Sequence, residues 1–278
     1  MKEPLVSVIL CNYNHARYLR QCLAGLLGQT HKNIQIAITD DGSTDGSQDL
    51  IREYAAKDPR VEPNFFPKNR GVADALCDCV SRARGKYLYG VSADDFVINM
   101  DFFKRGVQIL EADARPAGYY GITGIYVAEK EQLTGGMGSA EVEGYNTPLQ
   151  LCEGFLKFRV AVTSLSCLWR RDMYMAGGGN EMPELMRTLQ SVVDNYLSHN
   201  LAWRHGMYYE KTPIACQRVF EAKSNFSSRQ TIWNLAAWFA EMERRLRQVG
   251  LNYPEMEKDW ERWRALMLMD SLKKSGVV

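Results

Sequence analysis

The sequence predicts an α/β protein with a mostly parallel sheet flanked by helices and a helical appendage at the C-terminal end. In the first part of the chain, short runs rich in Val and Ile alternate with segments that carry apolar residues at helical spacing. Such alternation is typical of parallel strands joined by right-handed helical crossovers. Two acidic pairs close two of these strands, and a Trp-containing tail follows the alternating part.

Each element follows from the local pattern. Strands are predicted at 5–11, 34–39, 61–66, 86–91, 119–127, 162–169 and 214–219, and helices at 16–27, 46–56, 72–83, 102–112 and 184–202. Residues 133–146 are rich in Gly and polar residues and predict a mobile loop that either closes over a substrate or is simply surface structure. The tail at 229–274 shows two helical patterns split near residues 250–254.

Composition argues against several classes of protein. The 34 basic and 33 acidic residues give a net charge of +1 without a basic block, so a nucleic-acid partner is not expected. The apolar stretch at 232–240 is far shorter than the roughly 20 residues of a membrane-spanning helix. The first residues lack an apolar signal core, which favours a cytoplasmic location. The seven cysteines are an odd set and are expected to be reduced and mostly buried.

The acidic pairs are the strongest local signal. Asp40 and Asp41 close the apolar run 34–38, and Asp94 and Asp95 close the run 87–91. Adjacent carboxylates repel each other, so we expect a cation or a polar ligand between the two pairs. Open sheets of this class bind ligands at the carboxyl ends of their strands. The pairs therefore suggest a nucleotide and metal site. The four histidines lack ligand spacing, and His15 is expected at the surface early in a helix.

Short motifs follow one another in a specific order: PLVSVI at 4–9, NYN at 12–14, QT at 29–30, TDDGSTD at 39–45, NRG at 69–71, ARGKY at 83–87 and SADD at 92–95. This order closely resembles the opening of family-2 glycosyltransferases with the GT-A fold. Weaker likeness continues through GGGNE at 177–181 and VDNYL at 193–197. The resemblance covers about residues 4–226, and the tail lies outside it.

The resemblance implies a nucleotide site at the first two strands. Tyr13 would lie against the face of the base, although a plain core tyrosine is the alternative. Asp41 would accept a hydrogen bond from a base ring N–H, as uracil offers, because an ionised carboxylate only accepts. Asp40 would support that arrangement and touch the ribose, and Asn69 and Gly71 would add further contacts.

The resemblance also implies a metal at the SADD segment, with Ser92 and Ala93 beside the donor. Asp94 and Asp95 would hold Mg²⁺ or Mn²⁺ against the diphosphate, because hard cations accept a few carboxylates together with phosphate and water oxygens. The cation would neutralise charge on the leaving group. Ser92 replaces the first aspartate that is usual in this motif.

Asp194 is the implied general base, which would remove the proton of the acceptor hydroxyl during one inverting displacement. Its alternative is a polar residue early in a helix. Val193 stands where the family has glutamate, and Phe220 stands where the family often has a histidine two residues after an arginine. These departures raise the prospect of altered metal dependence or of a domain that binds without turnover.

Together these features predict a metal-dependent, inverting, hexosyltransferase-type enzyme. The donor is expected to be a nucleotide-diphosphate sugar, first of all a UDP sugar, and the acceptor a glycan or lipid-linked saccharide of a bacterial-type surface polymer. A catalytically degenerate nucleotide-binding or scaffold homologue is the main alternative. A nucleotidyltransferase is a weaker one, because its Gly-rich basic phosphate loop is absent after the first strand.

The predicted division of the chain is a catalytic domain at 1–226 and a helical extension at 227–278. The nucleotide-sugar half of the catalytic domain is expected at 1–112 and the acceptor half at 113–226. The apolar faces of the extension predict packing on the catalytic domain or in a homodimer. Peripheral contact with the inner face of the membrane is the rival interpretation, since Trp with flanking Arg and Lys suits the headgroup region.

Overall fold

The computed structural model describes residues 3–181 and 193–220, together with the isolated positions 243, 258, 260–262, 264 and 265. Its strands are β1 (Val6–Asn12), β2 (Ile34–Asp40), β3 (Val61–Phe65), β4 (Tyr87–Ser92), β5 (Phe96–Val97), β6 (Gly118–Val127), β7 (Gln132–Met137), β8 (Gly144–Asn146), β9 (Cys167–Arg170) and β10 (Met207–Val219). Its helices are α1 (Ala16–Leu27), α2 (Ser47–Lys57), α3 (Val72–Arg82), α4 (Phe102–Ala112), α5 (Pro148–Leu156), α6 (Arg171–Ala176) and α7 (Val193–His205).

The strands form a single mixed sheet in the order β3-β2-β1-β4-β9-β6-β10-β5, with β7 paired to β6 and β8 to β10. The pairs β1–β2, β1–β4 and β2–β3 are parallel. β9 is antiparallel to both β4 and β6, and β10 is parallel to β6. The two antiparallel steps cancel, so β6 and β10 run in the direction of β4. Their carboxyl ends therefore lie at the same edge as those of β1, β2 and β4.

Helices cover both faces of this sheet. Along β1, Val8 and Leu10 belong to one buried cluster with α1, whereas Ile9 belongs to the other with α3. This alternation is the two-residue period of a strand buried on both faces. The layered α/β architecture confirms the fold class that the sequence predicts.

At position 260 the predicted extension contacts the α/β part of the chain. Trp260 is buried in the same cluster as Tyr196, Leu201 and Trp203. At this position the tail therefore packs on the buried cluster that includes α7. The described tail positions 243, 258, 260–262, 264 and 265 are helical, and the remainder of the predicted pattern lies outside the described residues. Within the described part of the chain, no helix has the length and apolar character needed to cross a bilayer.

Several boundaries agree with the sequence, and one region does not. The helices at 16–27 and 102–112 have the predicted bounds. The predicted loop at 133–146 is wrong in part, because β7 and β8 lie there. Every residue of β7 is exposed, so the strand has no buried face that could produce apolar alternation. The strand predicted at 162–169 is β9, and it begins after a short 3₁₀ turn at Ser164–Ser166.

The last two predicted elements are also shifted. β10 begins at Met207, seven residues before the predicted strand. α7 ends at His205, and the predicted start of that helix falls in residues 182–192, outside the described part. α5 was missed although it has a recognisable start, since Thr147 and Gln150 form a capping box and Pro148 is its first residue. All seven cysteines lie in the described part of the chain, where no disulfide joins them, and five of them are buried, in agreement with the expected burial.

Candidate active site

The ends of three parallel strands bring the two acidic segments together. Asn12 ends β1 and lies opposite Asp40 of β2 in the sheet register. On the other side of β1, Cys11 lies opposite Ser92, the last residue of β4. The loop after β2 and the turn after β4 therefore flank the end of β1. This placement agrees with the prediction that both acidic pairs lie at one edge.

Asp40 is fully buried and is held by three donors of the protein itself. Its Oδ2 accepts from Asn12 Nδ2 at 2.7 Å. Its Oδ1 accepts from the Ser43 backbone N–H at 2.9 Å and from Gln48 Nε2 at 3.0 Å. A buried carboxylate is stabilised when it is hydrogen-bonded in this way. These bonds stabilise the Asp40 charge from within the protein, and the cation or polar ligand expected between the two pairs stays a prediction.

Asp41 is also buried, and it organises the segment that begins α3. Its two carboxylate oxygens accept from the backbone N–H groups of Arg70, at 2.7 Å, and Gly71, at 2.8 Å. Asn69 Oδ1 accepts from the same Gly71 N–H at 3.0 Å. Three of the predicted nucleotide residues are thus brought together. A carboxylate has about four lone-pair sites, so Asp41 retains capacity for a base N–H.

Gly42 permits the close approach of these two segments. Its φ is +73°, and a Cβ there would lie 2.5 Å from the carbonyl carbon of Lys68. Any side chain would therefore push the Lys68–Gly71 backbone away from Asp41. The predicted loop motif requires glycine here for both its left-handed backbone and its contact.

The segment that carries Tyr13 is tied to the same loop. The Asn14 backbone N–H donates to Ser43 Oγ at 2.9 Å, and Asn14 Oδ1 accepts from the Thr44 backbone N–H at 2.9 Å. Asn14 itself has a positive φ of 54°. Tyr13 is 44% exposed, which excludes the alternative of a core tyrosine. The backbone that carries Tyr13 is thus tied to the loop after β2, and its exposed ring is accessible to a ligand.

The turn after β4 places the remaining donor-side candidates. Ser92 is exposed, whereas Ala93 is buried and its backbone N–H donates to the Cys11 carbonyl at 3.3 Å. The Asp94 side chain is partly exposed, with Oδ1 3.8 Å from His15 Nδ1. His15 immediately precedes α1 and its side chain is 35% exposed, which agrees with the expected surface position at the start of a helix.

Asp95 faces inward. Its Oδ1 accepts from the Arg218 backbone N–H at 2.7 Å. Burial, together with the neighbouring charge of Asp94, raises the pKa of Asp95 to about 7. Asp94 and Asp95 thus differ in their surroundings. The Asp94 carboxylate is accessible, whereas the Asp95 carboxylate faces the interior and binds the backbone of β10.

A divalent cation fits this turn only if phosphate and water oxygens complete its coordination. Among the described residues, no group of three His, Cys, Asp or Glu side chains could hold a metal by itself. Mg²⁺ and Mn²⁺ do not require such a cage, since one or two carboxylates with phosphate and water oxygens suffice. The accessible carboxylate of Asp94, next to a second carboxylate, supplies that donor set. The fit is therefore to a cation that arrives with a diphosphate.

Two further predicted positions are Asp194 and Phe220. Asp194 is the second residue of α7, and its side chain lies outside what the structure describes. The Phe220 ring packs against the Tyr18 ring at a tilt of 51°, with centroids 5.7 Å apart. Among the residues that sequence reasoning missed, Asn12, Ser43 and Asn14 lie inside the quoted motifs, and their polar character at a strand end was the available signal. His15 could not have been found, because its partner Asp94 is remote in sequence.

The fold and the strand-end site define the class as an α/β protein of the glycosyltransferase type. The family model for "Glycosyl transferase family 2" matches residues 7–166, which is more than half of the chain. The chain therefore belongs to glycosyltransferase family 2, and the predicted recognition is confirmed.

Curated relatives share the first part of the chain. An uncharacterised glycosyltransferase of Haemophilus influenzae is 39% identical over 99 residues, which cover 36% of this chain and 40% of that protein. The putative teichuronic acid biosynthesis glycosyltransferase TuaG of Bacillus subtilis is 36% identical over 93 residues, covering 34% of this chain and 37% of TuaG. Chondroitin synthase of Escherichia coli is 36% identical over 96 residues, covering 34% and 14%. The matches thus span less than half the length of these relatives.

Solved structures share the fold at low identity. S. aureus TarS 1-349 in complex with UDP-GlcNAc has a TM-score of 0.69 and 13% identity, covering 93% of this chain and 71% of that chain. Mannosyltransferase PcManGT from Pyrobaculum calidifontis, in complex with GDP-Man and Mn²⁺, has a TM-score of 0.61 and 18% identity, covering 100% and 74%. The GT-A fold is therefore established for this chain.

Replacing Gly42 with alanine should destabilise the protein more than replacing Gly46. Both residues have positive φ, but a Cβ at Gly46 meets nothing within 4 Å. Gly46→Ala should cost only the left-handed backbone strain, about 1–2 kcal/mol. Gly42→Ala should cost that amount and also displace residues 68–71. Urea unfolding measures the difference, and equal losses in the two variants would contradict this account of Gly42.

Replacing Asp41 with asparagine should loosen the segment before α3. The amide –NH₂ would face one of the two backbone N–H donors, leaving that donor unpaired at a cost of about 1–3 kcal/mol. Urea unfolding should show this loss, and limited proteolysis should show faster cleavage near residues 68–71. Asp49→Asn is the control, because the Asp49 side chain is 91% exposed. If Asp41→Asn were as stable as that control, the anchoring role would be wrong.

Proposed function

We propose that this chain catalyses inverting transfer of a hexosyl unit from a nucleotide-diphosphate sugar, first of all a UDP sugar, to a hydroxyl group of a glycan or lipid-linked saccharide. The observation that carries the proposal is the meeting of the Asp40–Asp41 loop and the Ser92–Asp95 turn around the end of β1 in a family-2 chain. A nucleotide would lie on the first segment and its diphosphate on the second.

The nucleotide half rests on Tyr13 and on the loop that supports it. The exposed Tyr13 ring offers an apolar face for a base. Asp41, with its remaining lone pairs, would accept a hydrogen bond from the ring N–H of uracil. Asp40 would support the loop through its hydrogen bonds to Ser43 and Gln48. Asn69 and Gly71 would border the base, because Asp41 binds their segment. TarS, which shares the fold, is described in complexes with UDP and UDP-GlcNAc.

The diphosphate half rests on the turn from Ser92 to Asp95. Asp94, with Asp95 behind it, would hold Mg²⁺ or Mn²⁺, and Ser92 and Ala93 would border the diphosphate. When bound, the cation would supply Lewis-acid neutralisation of the charge that develops on the leaving diphosphate. PcManGT, which shares the fold, is described with GDP-Man and Mn²⁺.

In the proposed reaction, the Asp194 carboxylate removes the proton from the acceptor hydroxyl as that oxygen attacks the anomeric carbon. The bond from the anomeric carbon to the diphosphate breaks on the opposite face, and the nucleoside diphosphate leaves with the electron pair. One displacement inverts the anomeric centre. Much of the rate gain would come from positioning and charge stabilisation, since the leaving group is already good.

The acceptor is proposed from chemistry and from relatives. TuaG is named for teichuronic acid biosynthesis and chondroitin synthase for chondroitin, so saccharide acceptors of surface polymers are the natural class to test. We place the reaction in the cytoplasm, with peripheral contact at the inner face of the membrane as an extension of this proposal. The catalytic part would span 1–226 and the helical extension 227–278. The burial of Trp260 supports packing of that extension on the catalytic core.

A catalytically degenerate, nucleotide-binding homologue is the second candidate. Two observations favour it: Ser92 removes one acidic group from the metal motif, and the Phe220 ring packs on Tyr18 where a histidine would offer a ligand. Such a protein would keep the Asp40–Asp41 loop and bind nucleotide without turnover.

Nucleotide binding is the first test. A thermal-shift panel of nucleotides and nucleotide sugars should show stabilisation by UDP or a UDP sugar, and a larger shift when Mn²⁺ is added. A ligand that binds only the folded state stabilises it by mass action. GDP and ADP sugars serve as the matched comparison. An unchanged melting temperature with every nucleotide would rule out both the transferase and the binding homologue.

Slow hydrolysis of the donor separates the enzyme from the degenerate homologue. Wild type should release UDP from its donor in the presence of Mn²⁺. Asp194→Asn should lower this rate about 100-fold or more through loss of the base, and Asp94→Asn should lower it through weaker cation binding. Asp172→Asn, at an exposed position, is the control. Donor binding with no hydrolysis in wild type would favour the degenerate homologue, and equal hydrolysis in all four proteins would remove the proposed mechanism.

A further inference from the structure

Arg218 lies near the carboxyl end of β10 and holds the acidic turn at two adjacent points. Its backbone N–H donates to Asp95 Oδ1 at 2.7 Å. Its Nε–H donates to the carbonyl oxygen of Asp94 at 3.0 Å. One residue therefore fixes both the main chain of Asp94 and the side chain of Asp95, although it lies in a different strand.

The guanidinium of Arg218 is itself held by an aromatic cage. Its central carbon lies 4.4 Å from the centroid of the Tyr18 ring, 5.1 Å from that of Phe96 and 5.3 Å from that of Tyr126. Its Nη2 donates to Gln21 Oε1 at 2.7 Å. Arg218 is only 7% exposed. A planar guanidinium stacked on rings and hydrogen-bonded at two nitrogens has little freedom to move.

Phe220 extends this cage. The Tyr18 ring, which faces the guanidinium, also contacts the Phe220 ring at a centroid distance of 5.7 Å. At the place where the resemblance led us to expect a histidine ligand, the chain thus has an aromatic ring that supports the ring beneath Arg218. The departure at Phe220 has a packing role in this chain.

The burial of Arg218 restricts what it can do. With 7% of its surface exposed and its Nε and Nη2 atoms bound to protein oxygens, it is poorly placed to bind a diphosphate directly. Its hydrogen bonds to the Asp94 carbonyl and the Asp95 carboxylate hold the main chain from which the accessible Asp94 carboxylate projects. Loss of a protein group that orients a metal-binding residue typically costs about 10- to 100-fold in metal affinity.

We propose that Arg218, held by Tyr18, Phe96 and Tyr126, is the positioning residue of the Asp94–Asp95 turn and sets its affinity for a divalent cation. This role rests on the proposed function, because it assumes that a cation bound with the donor diphosphate meets Asp94. With Ser92 in place of an aspartate, the chain has fewer carboxylates to hold the cation. The rigid support of the remaining two then carries more of the affinity.

The test uses Arg218→Lys in the full chain, which keeps the positive charge but loses the planar fork. Arg105→Lys is the matched control, because Arg105 pairs with Glu210 at the opposite end of the same strand. Electron paramagnetic resonance measures Mn²⁺ binding in the presence of UDP, and calorimetry measures UDP binding without metal. Arg218→Lys should weaken Mn²⁺ binding by about tenfold or more. Metal-free UDP affinity should stay unchanged, and Arg105→Lys should behave as wild type.

The outcomes separate this role from the proposed function. Unchanged Mn²⁺ affinity in folded Arg218→Lys overturns the positioning role, as does an equal loss of Mn²⁺ and metal-free UDP binding, which a general structural role would produce. Wild type that binds UDP but not Mn²⁺ overturns the positioning role alone, whereas wild type that binds neither overturns the proposed function too. If Arg218→Lys does not fold, Gln21→Leu replaces it. Gln21 is exposed, and its loss frees Nη2, so Mn²⁺ affinity should fall by a smaller factor; no fall overturns the proposal.

Discussion

The buried carboxylate of Asp40 is the constraint on which the candidate site depends. A fully buried negative charge is tolerable only when donors surround it, and Asp40 takes them from Asn12 of β1, from Ser43 of its own loop and from Gln48 of α2. These bonds join a strand end, a loop and a helix. The loop that Asp40 holds then presents Asp41 to Arg70 and Gly71, so one buried charge organises the edge from β1 to the start of α3.

The two acidic pairs resemble each other in sequence and differ in structure. Asp40 and Asp41 are both buried and bound by protein donors, and the exposed Tyr13 lies in the segment that is tied to the same loop. Asp94 and Asp95 divide their roles: Asp94 stays accessible beside His15, and Asp95 is withdrawn and holds β10 through Arg218. Protein donors stabilise the charges of Asp40 and Asp41, whereas burial and the neighbouring charge of Asp94 raise the pKa of Asp95 to about 7.

Strong local signals allowed much of the first half of the chain to be predicted. α1 and α4 have the predicted bounds because their apolar faces repeat at helical spacing and pack on a buried sheet. β7 was missed because all its residues are exposed, and a strand without a buried face leaves no periodic pattern. β10 was predicted short because its first half carries Glu210, Lys211 and Pro213 among its apolar residues.

By itself, the sequence determined the family, the α/β order and the placement of both acidic pairs at strand ends, because strand periodicity and motif order are local properties. Tertiary structure alone decided which atoms those carboxylates meet. Asp41 anchors a backbone 29 residues later, and Arg218 reaches the turn at Asp94 from another strand, across more than 120 residues. Such contacts depend on strand order and on antiparallel steps through β9, and a linear pattern of residue types contains neither.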